Sequence, residues 1–196
     1  MHVIGLTGGI ACGKSTLSGE LRRQGAWIVD GDILSRELTA PGGPAHPALR
    51  EAFGDSIFYA DGTLDRRALG SRVFGDKRAL ARLDAIMQPL LRQLILRDIQ
   101  SARDHGAKVC VLDMPLLYEK GLDALCEAVW CVYLPEEEQL RRLMARDHLG
   151  REEAARRVGS QIPVAEKAAR ANVALDNSGT EEELREKGIA LYRTLL

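Results

Sequence analysis

Gly8-Gly9-Ile10-Ala11-Cys12-Gly13-Lys14-Ser15-Thr16 follows the apolar run Val3-Ile4-Gly5-Leu6-Thr7 and opens a helix-like segment from Ser15 to Arg23. Strand, glycine-rich loop and helix, in that order, are the context in which G-x-x-x-x-G-K-[ST] describes a phosphate loop. Gly8 and Gly13 permit backbone angles closed to other residues, so successive N–H groups can turn inward on a phosphate. The helix adds its positive N-terminal end at the same spot. Lys14 is expected to reach the β- and γ-phosphates, and Ser15 to offer its hydroxyl to Mg²⁺. Gly9, Ala11, Cys12 and Thr16 complete the expected cradle for a nucleoside triphosphate.

Working outward, further short apolar runs end in Asp, Gly or Pro, which is how buried parallel strands read. They are Ala26-Trp27-Ile28-Val29 before Asp30-Gly31-Asp32, Lys108 to Leu112 before Asp113-Met114-Pro115, Val129 to Leu134 before Pro135, and Val173-Ala174-Leu175 before Asp176-Asn177-Ser178-Gly179. Helical segments lie between them, so the fold class is α/β, with a five-stranded parallel sheet of the P-loop NTPase kind. The carboxyl ends of all five strands are expected on one edge, where ligands of such sheets bind. Strand order is not readable from the runs.

Two gaps exceed a simple crossover. Within residues 33–106, Leu80, Leu83, Ile86, Met87, Leu90, Leu91, Leu94, Ile95 and Ile99 recur at helical spacing. Pro89 inside that run predicts a kink or a split. Asp61-Gly62 marks a turn, and Thr63-Leu64-Asp65-Arg66 leads into another helix. The block reads as a mainly helical acceptor-binding insertion. Within residues 136–172, Leu140, Leu143 and Met144 share one helix face, and Arg142 and Arg146 share the other. An arginine-rich helix is ordinarily a solvated face. After the fourth strand of a phosphate-loop fold it is placed to act as a lid, with Arg142 and Arg146 over the γ-phosphate. The expected core is then 1–32, 107–135 and 173–196, and Glu181 to Leu196 forms one closing helix.

The 196 residues carry 27 basic and 28 acidic side chains, net −1, which argues against a general nucleic-acid surface. No 18-residue apolar stretch predicts a membrane span, and the N-terminus does not read as a signal peptide. Cys12, Cys110, Cys126 and Cys131 have neither disulfide-scaffold density nor C-x-x-C spacing. A cytoplasmic enzyme fits best; oligomeric state is not readable.

A phosphate loop alone allows kinases, GTPases and mechanical ATPases. The guanine motif N-K-x-D is absent. A kinase of small hydroxyl compounds needs an acceptor base, and Asp32, at the carboxyl end of the second strand, is the best candidate. Asp30 competes, because alternation puts both on one side if the strand continues. Asp113 ends its strand as a Walker-B residue does, and can hold Mg²⁺ directly or through water. It can also be a simple strand-end turn residue. A nucleotide-binding regulator without phosphoryl transfer is the alternative from another class.

Together these residues resemble a known family. Thr7-Gly8-Gly9-Ile10-x-x-Gly13-Lys14-Ser15-Thr16, Asp30-Gly31-Asp32, Asp61-Gly62-Thr63-Leu64-Asp65-Arg66, Asp113-x-Pro115-Leu116-Leu117-Tyr118-Glu119, Gln139-Leu140-x-Arg142-Leu143-x-x-Arg146-Asp147 and Asp176-Asn177-Ser178-Gly179 are similar to the dephospho-CoA kinases, in content and in order. The resemblance implies transfer of phosphate from ATP, with Mg²⁺, to the ribose 3′-hydroxyl of dephospho-CoA, a small-molecule substrate. It implies Asp32 as general base, Arg142 against ATP, Asn177 near the adenine, and Arg66 and Glu119 along the acceptor cleft. Three departures stand out. Gln88-Pro89 stands where the family often has His-Pro, a titratable group replaced by an amide that can touch the acceptor. Asn172 replaces a usual Asp, and Ala11-Cys12 stands where Gly-Ser is common. A thiol among N–H groups at a helix start is expected to have a lowered pKa, and so to be open to oxidation.

Overall fold

The computed structural model describes residues 1–196. The apolar runs form β1 (His2–Gly8), β2 (Trp27–Asp30), β3 (Val109–Asp113), β4 (Ala128–Tyr133) and β5 (Val173–Asp176). All pair parallel, in the order β2-β3-β1-β4-β5. β1 lies at the centre, and both it and β3 are buried almost end to end. That burial on both faces is why their sequences show continuous apolar runs instead of alternation. The register sets Asp30 beside Asp113, Asp113 beside Leu6, Gly8 beside Val132 and Tyr133 beside Asp176. The five carboxyl ends therefore share one edge, as expected.

The chain divides into two compact units, Met1–Asp30 with Ile99–Leu196, and Gly31–Asp98. In the first, the sheet is flanked by α1 (Lys14–Arg23), α6 (Glu136–Asp147), α7 (Arg151–Val158), α8 (Val164–Arg170) and α9 (Glu181–Arg193). Its core contains Ile4, Leu6, Leu17, Val111, Trp130 and Leu184. α9 starts on a capping box, Thr180 with Glu183, which satisfies two backbone donors at once. It approaches α1 so closely at Gly188 that a Cβ there would strike the Leu17 side chain. A second apolar cluster joins Leu140 and Leu143 of α6 to Ala154 of α7, with Ile10 and Ala11 of the glycine-rich loop packed against it.

The second unit is helical, as the periodicity predicts: α2 (Gly31–Leu38), α3 (His46–Phe53), α4 (Arg66–Val73) and the greater part of α5 (Lys77–Asp104). Phe58 and Leu64 bridge across the Asp61-Gly62 turn. Asp65 caps α4 by accepting from the N–H groups of Arg67 and Ala68. Leu38, Leu49, Phe53, Ile57 and Leu69 pack with Leu83, Ile86, Leu90 and Leu94 of α5.

Two readings are narrowed or corrected here. Of the kink or split expected at Pro89, the split does not occur: α5 is one helix from Lys77 to Asp104. A proline inside a helix costs about 3 kcal/mol. Each large apolar side chain buried in full is worth about 1.5–3 kcal/mol, so the packed stripe of α5 outweighs the proline even at half burial. Second, β2 stops at Asp30 and α2 begins at Gly31, so Asp32 lies in the first turn of a helix and not at a strand end. The alternation that would have aligned Asp30 with Asp32 does not apply. No helix is long and apolar enough to cross a membrane.

Candidate active site

The loop from Gly8 to Thr16 connects the buried end of β1 to the start of α1. Gly13, at the N-cap position of α1, has φ 93°, a left-handed conformation that glycine adopts without strain. Ala11 has φ 61°, left-handed for a residue with a Cβ. Alternation between right- and left-handed residues is how a backbone makes a concave nest of N–H groups. Ala11 therefore takes up a conformation at which glycine would be cheaper.

Lys14, the first residue of α1, sends its ammonium to Asp113 Oδ1 at the carboxyl end of β3. Asp113 is buried, and Asp30 is its register neighbour on β2. Ser15 and Thr16 follow in the first turn of α1, with Ser15 exposed. Thr7 Oγ1 donates to the Pro115 carbonyl at 3.2 Å, tying the strand before the loop to the segment after Asp113.

Arg142 of α6 donates from Nη2 to the Asn177 carbonyl at 3.0 Å and from Nε to Glu138 at 2.9 Å. Asn177, just past β5, donates from Nδ2 to the Cys12 carbonyl at 2.9 Å. Arg142, Asn177 and the loop are thus one connected group. Arg146 is elsewhere engaged, holding Asp147 through two hydrogen bonds at 2.7 and 3.1 Å. The two guanidinium groups do not share a target.

Glu119 is not open to solvent on all sides. Its Oε1 accepts from Lys167 at 2.7 Å and from the Ile162 N–H at 3.0 Å. Lys167, on α8, is fully buried and also donates to the Pro115 carbonyl at 2.8 Å. In the helical unit, Asp32 and Gln88 are exposed, on α2 and α5. Arg66 donates to Thr39 Oγ1 at 2.7 Å.

Cys12 overturns the expectation of a low thiol pKa. Its side chain is fully buried. Burial pushes the thiol up to about 11, against the lowering by backbone hydrogen bonds at Gly9 and Leu134 and by the charges of Arg142 and Lys167. Desolvation outweighs the helix start because the sulfur points into the core. Asn172 keeps a role despite its missing charge, since its Oδ1 accepts from the Val129 N–H at 2.8 Å.

Sequence reading missed two groups. Lys167 sits in Glu166-Lys167, a pair indistinguishable from a solvated helix face. Gln139 is 2% exposed and donates from Nε2 to the Ile10 carbonyl at 2.8 Å. Its only signal was its place in the motif shared with Arg142.

A nest of backbone N–H groups, a lysine, a buried carboxylate and an anchored arginine make up the equipment of phosphoryl transfer. Comparison with known proteins agrees. The family model for dephospho-CoA kinase matches residues 2–183. A dephospho-CoA kinase of Geobacter sulfurreducens is 48% identical over 187 residues, covering 95% of each chain. Among solved structures, TT1252 from Thermus thermophilus superposes with TM-score 0.85 at 35% identity, covering 100% of this chain and 98% of that one. A dephospho-CoA kinase from Campylobacter jejuni superposes with TM-score 0.66 at 25% identity, covering 99% and 97%. The chain belongs to the dephospho-CoA kinase family, ATP-using kinases that convert dephospho-CoA to coenzyme A.

Proposed function

We propose that this chain transfers the γ-phosphoryl group of ATP·Mg²⁺ to the ribose 3′-hydroxyl of dephospho-CoA, with Asp32 as general base. The observation that carries the reading is the Lys14–Asp113 pair at the mouth of a glycine-rich loop, at the carboxyl edge of a parallel sheet. Residues 8–16 hold the triphosphate. Lys14 exchanges Asp113 for the β- and γ-phosphate oxygens, and Arg142 adds positive charge from α6, whereas Arg146 needs to leave Asp147 to contribute. Asp32 orients the acceptor hydroxyl and takes its proton as the oxygen attacks phosphorus and ADP departs. Arg66, Gln88 and Glu119 are assigned to the acceptor, and Asn177 to the nucleotide side.

Residues 33–106 form the acceptor-binding part in this reading, 136–172 the lid, and 1–32, 107–135 and 173–196 the core. The donor set suits Mg²⁺, which keeps several waters and needs only one or two carboxylates besides phosphate oxygens. Asp113, with Asp30 in register beside it, and the exposed Ser15 hydroxyl are such a set. Mg²⁺ there supplies neutralisation of the charge that develops on the phosphates. A cytoplasmic location belongs to the same reading.

The test is transfer of labelled γ-phosphate from ATP·Mg²⁺ to dephospho-CoA, with shikimate and a nucleoside panel as parallel acceptors. Product from dephospho-CoA alone supports the assignment. Transfer only to another acceptor reassigns the insertion, with Gln88 the first residue to change. ATP binding without transfer to any acceptor supports a regulator.

A further inference from the structure

Two buried carboxamides reach the glycine-rich loop from different elements. Gln139 comes from α6, Asn177 from the turn after β5, and each is 2% exposed. Gln139 Nε2 donates to the Ile10 carbonyl and Asn177 Nδ2 to the Cys12 carbonyl, at 2.8 and 2.9 Å. Because both partners are carbonyls, the NH₂ end of each amide must face the loop. The other end of each, Gln139 Oε1 and Asn177 Oδ1, is buried without a partner. An orphaned buried acceptor costs free energy, so the contact on the opposite end has to be worth keeping.

The consequence follows from peptide geometry. The chain has no cis peptide bonds, and across a trans peptide the C=O and the next N–H point in opposite directions. Pinning the Ile10 carbonyl outward aims the Ala11 N–H the other way. Pinning the Cys12 carbonyl does the same for Gly13. Ala11 and Gly13 are the loop's left-handed residues, the positions where a nest turns its donors inward.

The two amides also account for two glycines. A Cβ on Gly9 would fall on the Gln139 carboxamide, and a Cβ on Gly13 on that of Asn177. Gly9 has no positive φ, so it is glycine for space and not for backbone freedom.

We propose that Gln139 and Asn177 are positioning residues of the phosphate site, each holding one loop carbonyl outward so that the N–H of Ala11 or Gly13 faces the bound phosphates. This rests on the reading that residues 8–16 hold the triphosphate. It places Asn177 on the phosphate cradle and gives α6 a mechanical link to the loop besides Arg142.

The test uses Gln139→Met and Asn177→Leu, near in shape but unable to donate, with Mg²⁺-tripolyphosphate and ATP as probes in titration calorimetry. Each variant is expected to bind tripolyphosphate and ATP about 5- to 10-fold more weakly, the worth of one lost hydrogen bond, with KM for dephospho-CoA unchanged. In amide NMR spectra, the Ala11 and Gly13 signals shift when tripolyphosphate is added to wild type, and shift less in the variant that frees the preceding carbonyl. Weaker ATP with unaltered tripolyphosphate would mean base recognition and overturn the proposal. A lower Tm with unaltered tripolyphosphate affinity would reduce both residues to packing and overturn it too. If a variant fails to fold, the wild-type spectra decide alone, and unmoved Ala11 and Gly13 signals refute the assignment. Wild type that binds neither probe defeats the phosphate-loop reading itself, a different outcome from bound probes and unaffected variants.

Discussion

Replacing Lys167 by Met tests whether the sheet unit depends on a buried charge. Lys167 Nζ lies against Glu119 Oε1 at 2.7 Å and the Pro115 carbonyl at 2.8 Å, with none of its side chain exposed. Glu119 Oε2 is already buried without a partner. Lys167→Met therefore leaves a carboxylate with only the Ile162 N–H to answer it. Breaking a buried pair by removing one partner costs about 3–5 kcal/mol. For a chain of this size, each kcal/mol lowers Tm by about 2–4 °C, so a fall of roughly 6–20 °C is expected. Methionine fills most of the lysine's volume, so little of this comes from a cavity. The assay is a double-mutant cycle by urea unfolding, with Glu119→Gln and the double variant. Glu119→Gln alone strands the ammonium; the double variant strands neither charge, so its loss should be smaller than the sum of the two. Additive losses, or a Tm fall under about 2 °C for Lys167→Met, would refute the claim that the pair's charges depend on each other.

Asp32→Asn is expected to lower kcat about 100-fold or more with ATP affinity nearly intact; a loss of a few-fold, with a larger one in Asp30→Asn, moves the base to Asp30. Asn172→Asp should leave stability within about 0.5 kcal/mol, because either side chain can accept from Val129 N–H. Asn172→Ala orphans that donor and should cost about 1–3 kcal/mol in chemical denaturation; equal effects of the two changes would contradict this. Cys12 should resist iodoacetamide in the native protein near pH 8, and peptide mapping that finds it alkylated at the rate of a free thiol would dispose of its burial. Glu138 is held down to about 2 by hydrogen bonds from Arg141 and Arg142. Its folded-state value lies below the ordinary 4.5, so its stabilisation is full above that pH and fades as pH falls from 4.5 through 2. Thermal unfolding across that window should fall less steeply in Glu138→Gln than in wild type; parallel curves would show the arginines have no such hold.

What could be read in advance was whatever short stretches of chain determine by themselves. The strands announced themselves because a parallel strand buried on both faces must be apolar throughout, and β1 and β3 are. The loop announced itself because Gly8, Gly13 and Lys14 stand in one short pattern between an apolar run and a helix. Strand order was illegible, since neither the apolar runs nor the helices between them state which strand lies beside which. Pro89 does not split α5 because the rule for proline weighs the local backbone alone, while α5 is held by side chains of α3, α4 and the turns between them. Asp32 misled by two residues because α2 begins at Gly31, directly after β2 ends at Asp30.

Cys12 was misread and Lys167 was missed for one reason. Local chemistry made Cys12 reactive, at a helix start among N–H groups, and gave Lys167 no signal, as one charge among several on a short helix. Solvent access decides both. The Cys12 sulfur lies in the core that β1, β4 and α8 share, where desolvation exceeds anything the helix end supplies. The Lys167 ammonium can be buried because the Pro115 carbonyl and Glu119 converge on it from the segment after β3. That segment begins directly after Asp113, and Thr7 donates to the same Pro115 carbonyl from the strand that feeds the loop. A lysine 52 residues from Pro115 in sequence thus shares its carbonyl with Thr7, at the entrance of the glycine-rich loop, at about 1 kcal/mol per hydrogen bond. Partners that far apart in the chain are brought together by the order of the strands, so the surroundings of the site could be read only after that order was known.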